Sequence, residues 1–137
     1  MNLLQKFRAL PVKEMQFIAE ALLLLFFARI LLFAMPFRIC IKTVKTVHSS
    51  DHPDMDKLTI LKRAMDRAYP LVFRKDGCLA QSLAARWMLQ RRGIPSVLYF
   101  GVKRDSHGKF VAHAWLTADD LEIVPRNGDY TVLTAFK

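Results

Sequence analysis

Two residues in the second half of the chain have the types and settings that nucleophilic catalysis requires. Cys78 stands in "KDGCLAQSLAARWMLQRRGIPS" (residues 75–96). Asp76 and Gly77 suit a helix start, and Leu79, Leu83 and Trp87 with Ala80, Ala84 and Met88 make an apolar face wide enough for a central buried helix. Arg91, Arg92 and Gly93 supply a basic last turn and a glycine stop. A cysteine at the first turn lies beside unpaired N–H groups and the positive end of the helix dipole, which lower a thiol's pKa and can hold an oxyanion. The matching base is His113, in "KFVAHAWLTA", where Val111, His113, Trp115 and Thr117 alternate with Phe110, Ala112, Ala114 and Leu116. His113 shares a face with Trp115, and a histidine among strand residues is costly to bury without a role or a partner. His48 and His52 fall in a polar linker and His107 in a turn, which makes them weaker candidates.

Each residue taken singly has a plainer reading. A cysteine near a helix start is a core residue in most proteins, and a strand histidine is usually hydrogen-bonded to a neighbour. Their combination is what carries weight: a helix-capping cysteine followed by a histidine on an antiparallel strand lets imidazole reach a thiolate that the dipole supports.

The elements that must position this pair are legible in outline. The chain has 137 residues, 53% of them hydrophobic, enough for one domain with a real core. Residues 1–47 form a hydrophobic arm, in which "PVKEMQFIAEALLLLFFARILLFAMPFRICI" predicts a helix broken near Pro36. Glu20 and Arg29 interrupt its apolar run, which weighs against a membrane span. The arm is apolar around nearly its whole circumference, so it needs cover from the domain, a partner protein or the membrane interface. Residues 48–137 form the catalytic unit. The linker "HSSDHPDMD" holds His48, Asp51, His52, Asp54 and Asp56, which are metal-ligand types but read as solvated loop residues. In "MDKLTILKRAMDRAY", Leu58, Leu61, Ala64, Met65 and Ala68 form a helical stripe that Pro70 is expected to end. "SVLYFGVKRD", "KFVAHAWLTA", "LEIVP" and "YTVLTAF" read as antiparallel strands, the first two joined by "RDSHGK". The fold class is therefore α+β: a helix followed by an antiparallel sheet.

The stretch "CLAQSLAARWMLQRRGIPSVLYFGV" followed by "FVAHAW" resembles the transglutaminase-like leader peptidases of lasso-peptide biosynthesis, the stand-alone B proteins of those pathways. "EALLLLFFARILLFAMPFR" resembles their hydrophobic N-terminal segment and "YTVLTAF" their ending, so the resemblance spans nearly the whole chain. It implies a papain-like cysteine protease that removes the leader from a ribosomally made precursor peptide, with Cys78 as nucleophile and His113 as general base. It also implies two partners: a small winged-helix protein that presents the leader, and an asparagine-synthetase-like enzyme that closes the macrolactam. Such proteins commonly carry an Asp about twelve residues past the histidine, and here that register falls on Pro125. A tight turn at Asp119 and Asp120 would bring Arg126 and Asn127 back opposite His113. Asn127 and Asp129 are then the first candidates to orient the imidazole, ahead of Asp119 and Asp120 at the far tip.

Two other classes of function fit the same residues: a Cys/His acyltransferase, and a non-enzymatic scaffold that uses the Leu/Phe arm at a membrane. No phosphate-binding loop is visible, and the cysteine chemistry requires neither metal nor other cofactor. The formal charge of +9 reads as a solvated surface, since no nucleic-acid motif or long basic block accompanies it. Two distant cysteines, Cys40 and Cys78, and no cleavable secretion signal point to the cytoplasm, including the inner face of its membrane.

Overall fold

Within the apolar arm, Val12–Ala34 form helix α1 in the computed structural model, which describes residues 5, 11–35, 54–73 and 77–137. It stops at Met35, whose backbone is extended and whose N–H donates to Leu31 O at 2.8 Å, one residue ahead of Pro36. Pro36, Cys40, His48, Asp51, His52 and Asp76 lie outside the described residues. Helix α2 (Met55–Val72) opens on Asp54, whose carboxylate accepts the Asp56 N–H at 2.9 Å and so serves as its N-cap. The central helix, α3 (Cys78–Arg91), leads into strands β1 (Val97–Arg104), β2 (Phe110–Ala118), β3 (Leu121–Val124) and β4 (Thr131–Phe136). The sheet order is β3-β2-β1-β4 and every pairing is antiparallel, giving an α+β domain.

The stripe predicted for α2, Leu58, Leu61, Ala64, Met65 and Ala68, is its buried set. The helix does not end at Pro70, however, but continues to Val72. Proline removes only its own N–H, and other bonds hold the turn that follows: Phe73 N–H donates to Tyr69 O at 2.9 Å, and Arg29 of α1 donates to Val72 O at 3.1 Å.

Charges that looked like interruptions of an apolar span are what dock α1 on the domain. Glu14 pairs with Arg63 and Arg67 of α2, both at 3.1 Å. Glu20 meets the end of α3, taking Arg92 through two oxygens at 3.0 and 2.6 Å and Arg91 at 2.9 Å. Such a two-point guanidinium–carboxylate pair is both stronger and more directional than a single contact. The Arg92 guanidinium also lies 4.2 Å from the Phe17 ring centroid. Between these pins Phe17, Ile18, Ala21 and Leu25 recur every three or four residues and enter the common core. Leu23, Phe26, Phe27, Ile30 and Phe33 share the same helical spacing on the outside, with Leu23 73% and Phe33 94% exposed. By length and composition α1 could cross a membrane, but its inner face is packed against α2 and α3.

Helix α3 is enclosed by α1, α2, β2 and β3. Its alanines 80, 84 and 85 allow close approach, and residues 80–86 are all buried. Gly93, at φ 67°, ends it, and the Ile94 N–H returns to Leu89 O at 3.0 Å. Arg86 is 2% exposed and donates to the main-chain carbonyl of Phe136, tying α3 to the last strand. Burial pushes its guanidinium below the ordinary arginine value.

Three outcomes follow from these contacts. Glu20→Gln should cost on the order of 1–3 kcal/mol in urea unfolding, since it breaks a paired, mostly buried carboxylate. Phe33→Ser should leave stability within about 0.5 kcal/mol and reduce light scattering by the purified chain. Arg86→Ala should cost about 2–4 kcal/mol, because it opens a cavity and leaves the Phe136 carbonyl without its donor.

Candidate active site

Cys78 is the first residue of α3, half-buried, with a free thiol. Its N-cap, Gly77, offers no side chain, and the first intrahelical bond runs from Gln81 N–H to Gly77 O at 2.8 Å. The N–H groups of Cys78, Leu79 and Ala80 therefore have no partner within the helix, which is the bare end that favours an anion. Gly77 is held by the end of α2: its N–H donates to Tyr69 Oη at 3.1 Å, under a Tyr69–Phe73 ring pair 5.6 Å apart. A Cβ at Gly77 would lie 2.5 Å from the Phe73 ring, so only glycine lets the chain enter α3 here without moving that ring. Beside this turn is a cleft of about 380 Å³ lined by Arg29, Leu32, Phe33, Phe73, Leu79 and Ala80, with Gly77 at its edge. Arg29 lies over the Phe73 ring, 5.5 Å from its centroid.

His113 is half-buried on β2, paired across the sheet with Gly101. Leu116 and Ala118 of β2, with Leu98 of β1, belong to the core packed under the helices, whereas His113 falls in the alternate set with Trp115. That set builds a second, aromatic cluster. The His113 and Trp115 rings stack at 6.0 Å, Trp115 stacks on Tyr99 at 5.4 Å, and Tyr130 lies 5.0 Å from His113 and 6.1 Å from Trp115. A side chain at Gly101 would collide with Trp115, its Cβ 2.9 Å from the indole, so this glycine makes room for the cluster.

The imidazole is held by main chain. His113 Nε2 lies 2.9 Å from Pro125 O. A carbonyl oxygen only accepts, so the hydrogen is on Nε2, and Nδ1 of the neutral ring carries the lone pair a general base uses. Asp119, at φ 53°, and Asp120 form the expected turn between β2 and β3. Asn127 and Asp129 are exposed on the loop after β3, and neither hydrogen-bonds to His113. Among the described residues no hydrogen bond joins Cys78 to His113: α3 packs on β2, but on the face that carries Leu116 and Ala118, and His113 lies in the alternate set, so the structure does not bring the two side chains together.

The hairpin register put Arg126 opposite His113, but residue type did not point to Pro125 or Tyr130 as neighbours of the imidazole. The twelve-residue register does reach Pro125, but a proline has no side-chain acceptor. Its carbonyl becomes visible only once the chain leaves β3.

The site thus belongs to a small α+β domain with a cysteine at the start of its central helix and a histidine on the following sheet. The family model of the transglutaminase-like superfamily matches residues 21–135, and the chain belongs to that superfamily. It is a superfamily of cysteine-protease and acyltransferase type, and the match begins within α1. No curated protein and no solved structure matches the chain.

The bare helix start yields a direct expectation. Iodoacetamide should alkylate Cys78 faster than Cys40 in the folded protein, with the modified residue read by peptide mass spectrometry. Equal or reversed rates would argue against an activated thiol at Cys78.

Proposed function

We propose that the chain is a cysteine peptidase that cuts the leader from a ribosomally made lasso-peptide precursor. The observation that carries the reading is Cys78 at the uncapped start of the buried helix of a transglutaminase-like domain, with a histidine on β2 whose Nδ1 is left as the base. The resemblance of "CLAQSLA" and "AHAW" to lasso leader peptidases supports the choice of substrate.

In this reading His113 Nδ1 takes the Cys78 proton and the thiolate attacks the carbonyl of the last leader residue. That transfer requires the imidazole, which lies in the β2 set alternate to the core-facing Leu116 and Ala118, to be brought to the helix start when substrate binds. The N–H groups at the start of α3 hold the oxyanion, and His113 returns the proton to the departing amine of the core peptide. Water, deprotonated by the same imidazole, then splits the thioester and restores the thiol. The products are a leader with a free carboxylate and a core peptide with a free amine, the group a macrolactam-forming synthetase needs. A winged-helix partner would present the leader. The exposed Leu23, Phe26 and Phe33 stripe offers that partner, or the cytoplasmic membrane face, an apolar surface.

The test is incubation of the full chain with precursor and presenting protein, read by mass spectrometry. Wild type should release the leader carboxylate. Cys78→Ala and His113→Ala should each lose at least on the order of 10³-fold in rate. A new amide in place of the carboxylate would instead identify an acyltransferase, and full activity in Cys78→Ala would remove covalent catalysis.

A further inference from the structure

We infer that the residue orienting the base is Pro125, through its main-chain carbonyl, and that Arg126 is the positioning residue that holds this carbonyl in place. The inference rests on the reading of His113 as general base.

The Nε2 of His113 meets Pro125 O at 2.9 Å, and no carboxylate or carboxamide side chain reaches that nitrogen among the described residues. A main-chain carbonyl points only where its backbone is held, so the geometry of residues 125–130 decides the geometry of the imidazole. That loop is closed on itself. Arg126 donates from Nη2 to the main-chain carbonyl of Tyr130, four residues on. The Arg126 guanidinium also lies over Trp115, 5.1 Å from the ring centroid, and Trp115 stacks on His113. One side chain therefore fixes both ends of the loop and presses it on the rings that hold the base. Tyr130, brought round by the closure, packs its ring on His113 from the other contact, with Lys103 Nζ 4.6 Å from its centroid. Asn127 at φ 54° and Gly128 at φ 147° supply the reversal that a six-residue closure needs.

The chemical consequence is specific. A carboxylate in this position stabilises imidazolium by its charge as well as orienting the ring, whereas a neutral carbonyl orients it and fixes the Nε2–H tautomer. The base of this chain is thus set by a dipole, and its third member is not encoded by any side chain.

The experiment is long-range ¹H–¹⁵N correlation of histidine-labelled full-length chain in mild detergent, at a pH where His113 is neutral. Wild type should show Nε2 protonated and Nδ1 unprotonated for His113. Asn127→Ala and Asp129→Ala should keep that pattern. Arg126→Met, which retains apolar packing on Trp115 but loses the donor, should give mixed tautomers and lower kcat on the order of 10-fold to 100-fold with KM little changed. Arg126→Lys should restore part of kcat. A wild-type Nδ1–H tautomer would overturn the inference, and so would a tautomer and kcat unchanged in Arg126→Met or lost in Asn127→Ala or Asp129→Ala. The tautomer is read without substrate, so its outcome stands apart from that of the cleavage assay: inactive wild type with the Nε2–H tautomer counts against the peptidase reading alone.

Discussion

Burial of one helix on every side sets the terms for the rest of the structure. Helix α3 carries Cys78 at its first residue, and a helix enclosed this fully needs apolar cover from two layers. The sheet covers one part through β2 and β3, and α1 and α2 cover the other. Small residues at 80, 84 and 85 permit the approach, and Arg86, the large polar exception, gives a hydrogen to the end of β4. Because the body of the helix is sequestered, its first turn is where chemistry can occur: the N–H groups there have no helical partner, and Gly77 leaves the cap open.

The docking of α1 shows how charge can place an apolar helix. Apolar surface is non-directional, so a Leu/Phe-rich segment alone could pack in many registers. Glu14, Glu20 and Arg29 favour the one observed, where each meets a partner on another helix. Arg29 joins this docking to the site directly. It bonds the last carbonyl of α2 and lies over Phe73, whose ring stacks with the Tyr69 that holds Gly77 N–H. These contacts run from α1 to the residue that precedes the thiol.

The sheet separates two tasks by its period of two. One set of side chains, with Leu98, Leu116 and Ala118, closes the core; the alternate set gathers His113, Trp115, Tyr99 and Tyr130 into a stack around the imidazole. Stacked and tilted rings flank the histidine, and its Nε2 meets the Pro125 carbonyl.

Sequence by itself determined the α+β class, the stripe of α2, the central helix with its cysteine at the start and its glycine stop, the strands, and the shared face of His113 and Trp115. These follow from periodicity and from residue types with strong local preferences, which act over a few residues and survive any packing. What only the tertiary structure decided lies at longer range. Pro70 sits inside a helix whose last carbonyl accepts from Arg29, more than forty residues away in sequence. Glu20 and Arg29 are docking groups because their partners come from other helices. The acceptor at His113 is a main-chain carbonyl, and every residue has one, so no residue type could mark it; the turn of the chain after β3 and the closure by Arg126 single out Pro125.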